Sequence, residues 1–157
     1  MRIGLVSDTH GLLRPALFEA LEGVDHSLHA GDLGPAELIT ELEAIAPVTG
    51  VFGNTDGFDV RDKWPESAEA ELGGVRAGVM HGHLLGSPTP ETVAAALPGV
   101  QLAVFGHTHR AVIREVDDVT VVNPGAAGPR RFDVRPTCAI ASVSEGRVTV
   151  ELVSLEG

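Results

Sequence analysis

With 157 residues, 43% of them hydrophobic, the chain has the size and composition of one domain, spanning 1–157, with a sizeable core. Its 22 acidic against 11 basic residues give a net charge of −11, which argues against broad binding to nucleic-acid backbones or anionic membranes. A single cysteine, Cys138, excludes an internal disulfide and a cysteine-rich zinc site. No apolar run reaches the roughly 20 residues of a membrane span, and "MRIGLVSDTH" has no signal-peptide pattern, so the expected location is cytoplasmic.

In chain order, "RIGLVS" reads as a strand and "RPALFEALEG" as a helix with Gly23 near its end. "DHSLHA" is a second strand. "GPAELITELEAIAP" is a helix, with Pro35 near its start and Leu38, Leu42 and Ile45 on one face. "VTGVFG" is a third strand, so the order implies parallel pairing with right-handed crossovers. The polar segment "DGFDVRDKWPESA" reads as an irregular loop, with Trp64 either core or rim. "EAELGGVRAGVMHG" is a hairpin turning at Gly73-Gly74, and "TPETVAAALPG" a helix capped by Thr89 with Pro90 first inside. After the strand "QLAVFG", two hairpins turn near Asp117-Asp118 and Glu145-Gly146. The expected fold class is α/β: two mixed sheets packed as a sandwich, with helices outside.

Polar residues recur at the strand ends: Asp8 and His10 in "SDTHG", Asp32 in "AGDLG", Asn54 in "FGNTDG", His81 in "MHGH", and His107 and His109 in "FGHTHR". Ligands in parallel α/β sheets bind outside the carboxyl ends of the strands, so these seven side chains are expected to converge. A catalytic zinc takes about three protein ligands. Seven suit two ions about 3.5–4 Å apart that share a carboxylate. Imidazole, carboxylate and amide donors without thiolate suit Mn, Fe, Zn, Ni or Co, and the histidines disfavour an all-Mg site. The alternating spacing of His107 and His109 would point both imidazoles to one side of a strand.

The ordered series "DTH", "GD", "GN", "HGH", "GHTH" resembles the calcineurin-like metallophosphoesterase superfamily, from Asp8 to Gly125. The small size and "GNTDG" resemble its compact prokaryotic phosphodiesterase branch, related to the retromer subunit Vps29. The resemblance implies Asp8, His10 and His109 on one metal, and Asn54, His81 and His107 on the other, with Asp32 bridging. It implies two divalent cations, Mn foremost, and in-line attack by hydroxide on a small phosphate ester. Asp32 and Asn54 would then also serve catalysis. Larger members carry histidine after the asparagine where this chain has Thr55 and then Asp56. That departure fits the compact branch and implies weak leaving-group assistance, for which His83 is a candidate substitute.

Two alternatives stay open: phosphomonoester or nucleotide pyrophosphate hydrolysis on the same metals, and a non-catalytic scaffold resembling Vps29. Loss of the first-motif histidine marks that scaffold, whereas His10 is present here. His26, His29 and Cys138 read as structural, with a contact from His29 to the site left open. Asn123-Pro124-Gly125 reads as a tight turn beside the site, and Arg130 and Arg131 as solvated surface. Arg110 is left open between an anion contact and solvent. An apolar sheet edge is compatible with a homo-oligomer, but no motif specifies one.

Overall fold

The computed structural model describes residues 1–131 and 133–156. β1 (Arg2–Val6), α1 (Pro15–Ala20), β2 (His26–His29), α2 (Glu37–Glu43) and β3 (Val48–Gly50) come first. α3 (Phe58–Arg61), β4 (Ser67–Leu72), β5 (Val75–Met80), α4 (Pro90–Ala96) and β6 (Leu102–Val104) follow. β7 (Val112–Val116), β8 (Val119–Asn123), β9 (Thr137–Ser144) and β10 (Arg147–Ser154) complete the order. One sheet runs β10-β9-β1-β2-β3 and the other β4-β5-β6-β8-β7. β1, β2 and β3 are mutually parallel, as are β5, β6 and β8, while the outer pairings are antiparallel. Both sheets are therefore mixed, as expected.

Side-chain alternation explains the layers. Ile3, Leu5, Val75, Ala77, Val79, Leu102, Val104, Ala139 and Ala141 meet between the sheets. The opposite face of the first sheet, with Val6, Cys138 and Ile140, packs against Leu17 and Leu21 near α1 and Leu38 and Leu42 on α2. α4 covers the second sheet through Val93 and Leu97 against Ala103 and Val121. Gly4 leaves room for Leu21, whose side chain would collide with a Cβ there. Cys138 is a buried member of this core, and burial pushes its thiol up to about 12.

The hairpin turns fall where expected. Gly73-Gly74, Asp117-Asp118 and Glu145-Gly146 all have positive φ, the backbone that the twist of two-residue hairpins favours. Thr89 caps α4 by accepting from the Thr92 backbone N–H, and the Thr92 hydroxyl accepts reciprocally from the Thr89 N–H. The first two helices are shorter than their apolar patterns suggested. The segment after Asn54 is not wholly irregular: it holds the short α3 and runs into β4 at Ser67. Trp64 is core, buried over His29 with ring centroids 5.4 Å apart, and its indole occupies the space a Cβ at Gly50 would need.

Candidate metal centre

The parallel strands of both sheets deliver their carboxyl ends to one rim, and the seven candidate ligands follow within a few residues of those ends. The chain leaves β1 and β2 in two loops that keep pairing. Asp8 N–H donates to the Gly31 carbonyl at 3.0 Å and His10 N–H to the Asp32 carbonyl at 2.9 Å. Asp8, His10, Asp32, His107 and His109 all have φ between 45° and 74°. Non-glycine residues rarely adopt this conformation, and its clustering at one place marks a functional constraint. Among the described residues, the other non-glycine cases are the hairpin turns.

This backbone corrects the alternation argument for "GHTH". β6 ends at Val104, so His107 and His109 lie beyond the strand and converge because both residues are left-handed. Asn123, the last residue of β8, holds that loop. Its side-chain amide donates to the Gly106 carbonyl at 3.2 Å and to Thr108 Oγ1 at 3.0 Å, while its Oδ1 accepts from Gly125 N–H at 2.9 Å. Gly106 is required by proximity: an added Cβ would run into Ser7 Oγ and stand 2.7 Å from Asp8 Oδ2. Gly53 is constrained in the same way, since its Cβ would stand 2.6 Å from the Asp32 backbone nitrogen. The glycines of "GN" and "GH" thus let one strand end lie flush against another's carboxylate.

The ligand atoms face one another. His109 Nε2 lies 3.3 Å, His10 Nε2 3.7 Å and His81 Nε2 4.0 Å from Asp8 Oδ1. Asp32 Oδ2 is 3.2 Å from His81 Nε2 and 3.7 Å from His10 Nε2, so it stands between the two groups of histidines. Asn54 Oδ1 reaches His81 Nε2 at 3.0 Å and His107 Nδ1 at 3.2 Å. Two sets, Asp8-His10-His109 and Asp8-Asp32-His81, each gather one ligand atom per residue within 4.8 Å. All seven residues are brought together.

The donor set fits divalent cations. Asp8 is fully buried; Ser7 Oγ donates to its Oδ2 at 2.6 Å and His107 N–H at 3.2 Å, yet Oδ1 has no hydrogen-bond partner. A buried, unpartnered carboxylate oxygen facing imidazole nitrogens is a place for a cation. Burial opposes charge on Asp8, but contacts with His10, His109, His81 and Ser7 outweigh it and hold the carboxyl below the ordinary range. Burial likewise opposes charge on Asp32, and His81 together with the Thr55 donors lowers it on balance. For His81, burial works against protonation, while Asp32 and Asp8 raise its pKa. His81 Nδ1 sits 2.7 Å from the Ala30 carbonyl, which holds a proton there, so Nε2 is the nitrogen offered to a cation in the site.

His83 lies at the rim, its ring 5.5 Å from that of His81 and 6.3 Å from that of Phe52. Burial lowers its pKa, and its Nδ1 is buried without a partner. His29 is enclosed beneath the site: its Nδ1 accepts from Gly31 N–H at 3.1 Å, and its Nε2 is 3.1 Å from Thr9 Oγ1. His26 pairs with Thr49 Oγ1 at 2.8 Å, away from the ligands. Arg130 pairs with Glu156 on the surface.

One participant is not singled out by the motif reading. Asp56 is buried, and its Oδ2 accepts from the backbone N–H groups of Asp32 at 2.9 Å and Gly53 at 2.8 Å. Its Oδ1 accepts from Gly34 N–H at 3.2 Å. One carboxylate therefore ties the "GD" and "GN" loops together. The signal was Asp two residues after Asn54, a spacing that also reads as turn chemistry.

The calcineurin-like phosphoesterase superfamily domain matches residues 1–146. A probable metallophosphoesterase of Methanothermobacter thermautotrophicus is 34% identical, covering 98% of this chain and 92% of its own. A phosphodiesterase of Methanocaldococcus jannaschii is 32% identical over 80% of this chain and 83% of its own. In fold, a variant of Vps29 from Entamoeba histolytica superposes with a TM-score of 0.81 at 22% identity, covering 98% of this chain and 99% of that one. The matched domain spans all five motifs, and the chain belongs to the calcineurin-like phosphoesterase superfamily.

Proposed function

We propose that the protein is a metal-dependent phosphodiesterase that hydrolyses a small phosphate diester at two divalent cations, acting in the cytoplasm. The observation that carries this reading is Asp8 Oδ1, buried without a hydrogen-bond partner and facing the nitrogens of His109, His10 and His81. Asp8, His10 and His109 would hold one cation and Asn54, His81 and His107 the other, with Asp32 shared. Mn suits this mixed oxygen and nitrogen set best, and Ni, Fe, Co and Zn are also compatible. Bound there, such ions lower the pKa of water to roughly 7 and offset charge on phosphoryl oxygens.

The chain's own groups position and donate. The Thr55 backbone N–H donates to Asp32 Oδ1 at 3.0 Å, which directs Oδ2 toward the histidines. Asn54 turns its carbonyl oxygen to His81 and His107, leaving its amide N–H groups for a phosphoryl oxygen. His83 can present an imidazole N–H to the same group from the rim. Thr55 brings no acid to the position after Asn54, so the leaving group departs with little proton assistance. Diesters with good leaving groups are therefore the favoured substrates. The phosphodiesterase relative at 32% identity supports this choice over monoesters and nucleotide pyrophosphates. The full ligand set, His10 included, supports catalysis over a scaffold.

The test is to strip the protein with chelator and restore Mn, Ni, Co, Zn or Mg separately. Bis-p-nitrophenyl phosphate is then compared with p-nitrophenyl phosphate. Turnover of the diester above the monoester with at least one metal is expected. No turnover of either, with the metals shown to bind, refutes the enzyme reading, and a faster monoester rate makes the protein a phosphatase.

A further inference from the structure

A cleft of about 270 Å³ opens beside the metal centre, lined by His107, Thr108, His109, Arg110, Arg131 and Val134. It is roomy enough to admit a phosphoryl group beyond the one reacting at the metals. One wall is made by two candidate ligands, so a group in the cleft lies against the centre without replacing it.

The arginines set its chemistry. Across the described residues, Arg76, Arg114, Arg130 and Arg135 pair with carboxylates, while the side chains of Arg2, Arg14 and Arg61 donate to carbonyls. The exposed guanidinium groups of Arg110, Arg131 and Arg147 have neither kind of partner among those residues, and of the three only Arg110 and Arg131 line this cleft. In a chain with twice as many acidic as basic residues, two unengaged arginines sharing a cleft with the metal ligands are informative. Both rise from anchored backbone: Arg110 N–H donates to Thr108 Oγ1 at 3.3 Å, and Arg131 forms a bridge with Val134. A planar guanidinium suits bidentate contact with phosphate oxygens.

Resting on the phosphodiesterase reading, we propose that Arg110 and Arg131 determine specificity by binding a second phosphate on the substrate. The preferred substrate class is thus a small phosphodiester that carries an additional phosphomonoester group on the alcohol attached to the scissile phosphate, one sugar's length away. Cations held by the candidate ligands would neutralise the reacting phosphate, leaving the arginines to serve the charge that extends past His107 and His109.

The test compares thymidine 5′-(p-nitrophenyl phosphate) with its 3′-phosphorylated counterpart, both of which release p-nitrophenolate. For the native chain, kcat/KM should favour the 3′-phosphorylated ester by about tenfold, the equivalent of one charge-assisted hydrogen bond. The preference should shrink as salt rises. Arg110→Ala and Arg131→Ala should each lower this ratio, the double variant should bring it near one, and the double lysine variant should fall between. Because the ratio is taken within each variant, a general loss of activity does not mimic the effect. A native ratio near one, or a ratio preserved in the double alanine variant, overturns the proposal.

Calorimetric binding of thymidine 3′,5′-bisphosphate to the metal-loaded protein supplies a readout free of turnover. Weakening in the double alanine variant supports the cleft, and equal binding overturns it. Failure to hydrolyse these esters and bis-p-nitrophenyl phosphate, with metals bound, refutes the phosphodiesterase reading and leaves the binding result to judge the cleft.

Discussion

Removing the Asp56 carboxylate should destabilise the protein and loosen the metal centre together. It accepts three backbone N–H groups, from Asp32 at 2.9 Å, Gly53 at 2.8 Å and Gly34 at 3.2 Å. In Asp56→Asn the amide oxygen can keep the first two, while its NH₂ meets the Gly34 N–H donor to donor. One lost bond to a charged acceptor costs about 2 kcal/mol. For a chain of this length that lowers Tm by roughly 4–8 °C. Asp56→Ala abandons all three donors, two of them on buried residues, and should cost about 3–5 kcal/mol. Asp59→Asn is a matched control, because Asp59 Oδ2 accepts from Ala36 N–H at 2.9 Å in an exposed setting and its loss should be small. Thermal unfolding by circular dichroism, with and without Mn, measures these effects, and metal titration reads the coupling to Asp32. Asp56→Ala melting within about 1 °C of the native chain, with unchanged metal affinity, would refute the reasoning.

Burial lowers the His29 pKa from 6.5 to about 4, so between those values the unfolded chain takes up a proton that the folded chain excludes. Stability from this group is complete above pH 6.5 and is lost as pH falls toward 4, by about 3 kcal/mol in all. Denaturant unfolding from pH 7.5 to 4 should show a shallower decline in His29→Gln, and identical slopes would contradict the assignment. Gly53→Ala should weaken metal binding at least tenfold, because its Cβ displaces Asp32 (about 1.4 kcal/mol suffices for that factor); calorimetric titration showing native affinity would contradict the packing argument. Cys138 should resist thiol reagents in the native protein and react on unfolding, and rapid native labelling would place it outside the core.

The sheet layers were legible because the central strands read as short, near-continuous apolar runs, buried on both faces, and the turns carry Gly-Gly, Asp-Asp and Glu-Gly. The convergence of the seven candidate ligands was legible because each motif couples a strand end to a side chain able to bind metal. The path that brings His107 and His109 together was not, since their left-handed backbone depends on Asn123 and Thr108, which meet only in the folded sheet. Asp56 was obscured for a related reason: its three donors come from separate loops, and no local spacing records that meeting. Trp64 stayed ambiguous because its partner surface is a glycine and a histidine from two different strands.

The proposed chemistry depends on a pair of cations sharing Asp32. An anomalous-difference map from a Mn-soaked crystal tests it most directly. Two peaks about 3.5–4 Å apart are expected, with the Asp32 carboxylate between them, one beside His10 and His109 and the other beside His81 and His107. A single peak, or two that leave Asp32 outside, would contradict it.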